Sequence, residues 1–362
     1  MPAIRFDSIK LDKLLKEEYS RYIGQALEDC AGLNDLNRYA GEFETEFSRY
    51  LRAKFCVVLD SGTSSLQLAL LASGIGKNDA VIIPAISHPA TAWAVESLGA
   101  KVIFADISQS DLTIDPDKIE AAMRKDVKAI IAVHLYGMVC DMASINRIAK
   151  RHRLKVIEDA CHSLGSTLNG RKTGTLGDCG IFSFAYFKTL SSIKGSGGCL
   201  VSQNTAYKSN TGKILASKYR NNVEFKDPSF LDIMILLKKI KFMAKIEESK
   251  INIQNNYFGL LRKAAGLTLL KPLTGSRPML MLYPLLAKNR DLLNKRLATS
   301  GVLCAPAYKP LYYMFGESKP DKRSFPVAER YFREALFLPA FPFMKSDEVS
   351  YIAGVIGKAL RP

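Results

Sequence analysis

Seven short apolar runs constrain this chain more than anything else in it. FCVVLDSG, AVIIPA, KVIFADI, AIIAVHLYG, LKVIEDA, CGIFSFA and GCLVSQ follow one another between residues 55 and 203, separated by helix-like segments. The runs are continuously apolar rather than alternating, so each strand must be buried on both faces. That pattern predicts an α/β fold: a large, parallel or mostly parallel sheet sandwiched by helices. Ligands of such sheets gather at the C-terminal ends of the strands. Ser61, Asp159 and Ser183 end three of the runs and stand where a site would form.

The flanks divide the chain further. Residues 1 to about 50 read as helical, with EFETEFSRYLRAK leading into the first strand. SFLDIMILLKKIKFMAKIEESK is very apolar but carries Lys238, Lys239, Lys241 and Lys245, and reads as one basic amphipathic helix. Beyond residue 275, NRDLLNKRLATSGVLCAP reads as a helix then a strand, and DEVSYIAGVIGKAL as a closing helix capped by Ser346 or Asp347. The expected organisation is a large α/β domain with its N-terminal helical segment (1–225), a basic amphipathic helical insertion (226–272) and a smaller C-terminal α/β domain (273–362).

Composition narrows the partners. With 48% hydrophobic and 24% charged residues the chain can bury a substantial core. It has no uninterrupted apolar stretch of about 18 residues, and its acid-bearing N-terminus lacks a signal-peptide core. A cytoplasmic protein is expected. Its seven cysteines, Cys30, Cys56, Cys140, Cys161, Cys179, Cys199 and Cys304, show no CxxC pairing and read as reduced thiols. Four histidines without ligand spacing argue against a metal site. The net charge of +16 favours an anionic partner: a nucleotide-linked substrate, an acidic membrane surface or nucleic acid. No nucleic-acid module is visible, so the last is set aside.

Three stretches carry chemistry. In LDSGTSSLQLALLA a strand ends, Ser61-Gly62-Thr63-Ser64 turns, and a helix begins; its free N–H groups and the hydroxyls of Thr63 and Ser64 suit a phosphate, or merely an N-cap. LKVIEDACHS ends a strand in Glu158-Asp159, with His162 following. A buried carboxylate there needs a cationic partner such as a protonated pyridine nitrogen, unless it simply caps the next helix. FSFAYFKTLSSIKGSGG holds Lys188 and Lys194 among small and aromatic residues. A partly desolvated lysine there could act as nucleophile and base. Phosphate cradle, Asp and Lys in that order on one sheet are the three anchors of pyridoxal phosphate.

These motifs resemble the pyridoxal-phosphate-dependent sugar aminotransferases of the DegT/DnrJ/EryC1/StrS group, which share the fold type I architecture. SGTSSLQLAL, VIIPAISHPATAWAVESLGAKVIFADI, AIIAVHLYG, VIEDACHSLGS and TGTLGDCGIFSFAYFKTL are similar to five of that family's motifs, in order. The resemblance implies that Lys188 is the Schiff-base lysine, and that Ser183, Gly62 and Thr63 hold the cofactor phosphate. It also implies that Asp159 partners the ring nitrogen, that His162 stands near the ring oxygen, and that His88 takes the place of the aromatic residue stacked on the ring. It further implies a nucleotide-sugar substrate, glutamate as donor, pyridoxamine phosphate as the intermediate cofactor form, and a homodimer. Family members that act as dehydratases carry a histidine where Lys188 stands.

The chain departs from the family in two places. The loop from Lys188 to Gly195 is about two residues longer than usual, with Ser196 in place of a common Glu. The GYNxR segment that normally follows has no clear counterpart; Arg220, Asn221, Asn255 and Asn256 are the candidate substitutes. The basic segment occupies its place, and reads as a buried dimer-interface helix or a membrane-contacting one. The latter supports an alternative function, a peripheral membrane or scaffold protein that keeps the fold without the turnover.

Overall fold

The structure, a computed structural model, describes residues 24, 33–217, 219–220, 223–316 and 321–360. Cys30 and Asn221 lie outside them.

All seven apolar runs form strands of one sheet. These are β1 (Phe55–Leu59), β2 (Ala80–Pro84), β3 (Lys101–Ala105), β4 (Val127–Val133), β5 (Lys155–Asp159), β6 (Cys179–Ser183) and β7 (Gly198–Ser202). Their spatial order is β1-β7-β6-β5-β4-β2-β3. Pairing is parallel everywhere except at β7, which runs antiparallel to β1 and β6. The register aligns Val133 with Asp159 and Asp159 with Ile181, so β4, β5 and β6 end at one edge. The fold is therefore α/β with a large, mostly parallel sheet.

Helices cover both faces. On one side lie α2 (Gly62–Ala72) and α3 (Ala90–Glu96), in a cluster with Leu68, Val81, Ile131 and Ile181. On the other lies α1 (Leu33–Leu51), whose Phe43 and Phe47 meet Phe184 and Phe182 edge-on at 5.3 and 5.2 Å. Such aromatic edges add to the burial that holds the helix to the sheet. Between these strands run α4 (Pro116–Ala121), α5 (Met142–His152) and, after β7, α6 (Thr205–Ala216).

The basic segment is two helices, not one: α7 (Phe230–Ile240) and α8 (Met243–Leu261). Ile233, Met234, Ile235, Leu236, Leu237 and Ile240 of α7 are buried in the cluster that contains Tyr39, Phe43 and Phe47. Lys239 is buried as well, while Lys241 and Lys245 are exposed. The apolar side of α7 is thus covered by its own chain, which corrects the expectation of a face held out for a membrane or a second subunit. No helix among the described residues is long and apolar enough to cross a membrane.

Beyond α8, β8 (Leu267–Leu269), β9 (Tyr283–Ala287) and β10 (Ala335–Leu338) form an antiparallel sheet in sequence order. It packs in one cluster with residues of α8, α9 (Arg290–Thr299) and α11 (Ser346–Ala359), while α10 (Pro326–Glu334) leads into β10. The strand expected in GVLCAP is reduced to isolated bridge positions at Val302 and Ala305, the latter paired with Phe337. Pro306 and Pro310 cannot donate to a ladder, so pairing stops there. Neither Ser346 nor Asp347 caps α11: the helix already includes both, and Glu348 accepts from the Lys345 N–H at 2.7 Å. All six described cysteines are free thiols.

Lys250 of α8 is buried, and its amine donates to the Ala340 carbonyl at 3.0 Å. Burial pushes its pKa down to about 7, whereas an unfolded lysine titrates near about 10.4. Between those values the unfolded chain binds the extra proton, so stability rises with pH by up to about 1.4 kcal/mol per unit. Urea unfolding from pH 7 to 10 should show that rise in the parent protein and lose this component of it in Lys250→Met.

Candidate active site

The site lies at the shared edge of β4, β5 and β6, where α2 begins. Ser61 caps α2: its hydroxyl accepts from the Ser64 N–H at 3.1 Å and meets the Ser64 hydroxyl at 2.9 Å. Ser64 is therefore turned onto the cap, and it does not line the pocket that Gly62 and Thr63 line. The N–H groups of the first helical turn have no intrahelical partner and carry the positive end of the helix dipole. A Cβ on Gly62 would come within 2.8 Å of Ser183 Cβ and 3.4 Å of Cys161 Sγ, so only glycine leaves this cradle open.

Side chains alternate at the end of β5 and send its two carboxylates to different fates. Glu158 is fully buried and accepts from His134 Nε2 (2.9 Å) and the N–H groups of Gly174 (2.8 Å), Leu176 (2.5 Å) and Gly177 (2.7 Å). His134 Nδ1 accepts from the Cys140 N–H at 3.1 Å, so its Nε2–H is the donor to Glu158. Asp159, also buried, accepts among the described residues from neutral groups: the Thr91 hydroxyl at 3.3 Å and the Cys161 N–H at 3.2 Å. Among the described residues no salt bridge reaches it, although it lines the pocket. A buried carboxylate facing a cavity without a paired cation is costly, and it suits a ligand that brings the positive charge.

Lys188 lies across the same pocket, half-buried on the loop after β6. Burial lowers its pKa, against the opposing pull of the Asp159 carboxylate. Phe187 just before it has a positive φ of 69°, strained for an aromatic residue. His162 is buried, and its pKa is held well below the ordinary value by burial, then by Lys188 and His88. Its Nδ1 accepts from the Tyr136 N–H at 3.2 Å, leaving a neutral Nε2–H as donor. His88 is exposed at the mouth; burial of its ring nitrogens and the Lys188 charge lower its pKa. Lys194, the other lysine of the loop, is exposed and absent from the pocket wall.

The structure thus gathers Gly62, Thr63, His88, Asp159, His162, Ser183 and Lys188 around one pocket. A model of the DegT/DnrJ/EryC1/StrS aminotransferase family matches residues 15–357. The chain belongs to that family. It is accordingly an aminotransferase, and pyridoxal phosphate is the cofactor the family implies. A pleiotropic regulatory protein of Geobacillus stearothermophilus is 32% identical over 358 residues, covering 96% of this chain and 95% of the relative. GDP-perosamine synthase of Vibrio cholerae is 28% identical over 352 residues, covering 93% and 94%. The crystal structure of S. venezuelae DesV in complex with a ketimine intermediate superposes with a TM-score of 0.90 at 25% identity, covering all of both chains. The glycine-only cradle and the unpaired carboxylate fit the family's cofactor at its phosphate and ring-nitrogen ends.

Several neighbours escaped sequence reasoning. Thr91 holds Asp159, and Ser87 holds Thr91 at 2.8 Å. Tyr308 stacks on Tyr136 (centroids 5.7 Å) and His162 (6.3 Å) and meets His88 edge-on at 5.8 Å. The ATA of ISHPATAWAV was a signal for Thr91; Tyr308 comes from a segment without periodic pattern. Of the candidates for the missing GYNxR segment, Asn255 is exposed and Asn256 donates to the Ser346 hydroxyl at 3.3 Å. Neither lines the pocket of its own chain, and the side chain of Arg220 lies outside the described residues.

Gly62→Ala should leave the protein folded but weaken pyridoxal phosphate binding by about tenfold or more, the loss of one charged hydrogen bond. Titration of the cofactor's visible absorbance measures it.

Proposed function

We propose that this protein transfers an amino group, taken from glutamate, onto a keto-sugar carried by a nucleotide, in the cytoplasm, for surface polysaccharide or another glycan. The observation that carries this reading is the meeting in one pocket of the buried, cation-free Asp159 and the amine of Lys188 with its lowered pKa. Relatives named for work on nucleotide-linked sugars, such as GDP-perosamine synthase, support the substrate class. The +16 charge favours approach of an anionic nucleotide. The proposed organisation is a large domain (1–225), a helical insertion (226–272) and a smaller domain (273–362), working as a homodimer.

When bound, pyridoxal phosphate would supply an electron-accepting ring for moving an amine between donor and acceptor. The N–H groups of Gly62 and Thr63, with the hydroxyls of Thr63 and Ser183, would hold the phosphate; Ser64 would contribute through Ser61. The Asp159 carboxylate would keep a proton on the ring nitrogen. The His162 Nε2–H would donate to the ring oxygen, and the His88 imidazole would cover the ring. The Lys188 amine would hold the cofactor's aldehyde end and, when free of it, would take up and return the substrate's Cα proton. Burial lowers its pKa, the direction that favours an amine acting as a base.

Lys188→Ala should lose amino transfer between glutamate and a keto-sugar nucleotide, while Asp159→Asn should bind the cofactor yet turn over at least about a hundredfold more slowly. Single-turnover loss of the visible band on adding glutamate measures both. Wild-type turnover in Lys188→Ala would end this assignment.

A further inference from the structure

The loop that carries Lys188 is held by helix α7. Asp232 is buried on α7, and its two carboxylate oxygens accept from the Lys194 N–H (3.0 Å) and the Ser196 hydroxyl (2.5 Å). Two helical turns further on, Lys239 is equally buried, and its amine donates to the Ser191 carbonyl at 2.6 Å. Positions seven apart share one helix face, so a single face of α7 grips the loop at both ends. Within the loop the Ser192 hydroxyl donates to the Ser196 carbonyl (2.6 Å) and accepts from the Ser196 N–H (2.9 Å). The Ser192 N–H donates to the Phe184 carbonyl, and the Gly197 N–H to that of Asp60. Gly195, at φ +70°, packs so closely on the Tyr186 ring that a Cβ there would lie 2.2 Å from it.

We propose that Asp232 and Lys239 are positioning residues of the active site, setting the Lys188 loop against the phosphate cradle through Ser191, Lys194 and Ser196. Ser196 and Gly197 line the same pocket wall as Gly62 and Thr63, so a displaced loop opens the cradle. Burying two charges on a helix interior costs more than burying apolar residues there. Here those charges meet loop groups: the Lys194 N–H, the Ser196 hydroxyl and the Ser191 carbonyl. The loop is long and bears the exposed Tyr186, Phe187 and Ile193, with Leu190 buried in the cluster that also holds α7, so the polar contacts from Asp232 and Lys239 add to that anchorage. The helix that replaces the expected segment is thereby part of the catalytic apparatus.

The cofactor arm of the test rests on the proposed function; the exchange arm does not. Asp232→Ala, Lys239→Met, Ser196→Ala and Ser196→Thr are compared with the parent by amide hydrogen exchange without cofactor. The first three should speed exchange across residues 191–197 by about tenfold or more, the value of one hydrogen bond to a charged group, with β4 and β5 unchanged. The same three should weaken binding of added pyridoxal phosphate by a similar factor and shift the pH at which its visible band changes. Ser196→Thr, which keeps the hydroxyl, should restore both. Ser196→Ala decides the matter if either charge variant fails to fold, since it leaves the helix interior intact. Parent-like exchange in a folded Asp232→Ala or in Ser196→Ala would overturn the clamp. Faster exchange with unchanged amino transfer and cofactor affinity would overturn its role at the site and leave the loop contacts standing.

Discussion

The alternation of side chains at the end of β5 is the constraint on which this site depends. Consecutive residues on a strand face opposite ways. Glu158 turns inward and is matched by one imidazole and three backbone donors. Asp159 turns to the pocket and is matched by two neutral donors. The first carboxylate locks the turn at Gly174–Gly177 onto the sheet; the second is left with charge to spare. Shifting the strand by one residue would exchange the two and destroy both functions.

Around that carboxylate the protein assembles groups that keep Lys188 as the local source of positive charge. His162 is held neutral by burial and by the lysine, with its tautomer set by Tyr136. His88 is pushed the same way. A neutral imidazole can donate to a ring oxygen without competing for Asp159. The Cys161 thiol is held protonated by burial and by Asp159, so it adds bulk but no charge to the cradle. This arrangement leaves an opening for one cation at Asp159.

Much of this was legible in the sequence because the relevant signals are local. Seven continuous apolar runs demanded a sheet buried on both faces, and each became a strand. Glycine and serine after β1 marked a helix start, and polar residues at strand ends marked the pocket edge. The errors came where long-range contacts decide. The segment around Lys239 looked like a surface helix because a buried lysine has no sequence signature; its amine is satisfied by a carbonyl 48 residues away. The strand expected near Leu303 did not extend past Ala305, because Pro306 has no N–H to continue the pairing. Tyr308 reaches the histidines only through packing of the C-terminal segment on the site.

By itself, the sequence determined the strands, their common burial and the order of the three candidate anchors, since those follow from periodicity, turn chemistry and spacing along a continuous chain; the choice of lysine came from the family resemblance. The tertiary structure alone decided that β7 runs against its neighbours, that Ser64 turns to the helix cap, that Asp159 forms no salt bridge among the described residues, and that α7 contacts the Lys188 loop through Asp232 and Lys239. Those outcomes depend on which distant groups meet, and on whether a buried charge finds a donor there, neither of which local propensity encodes.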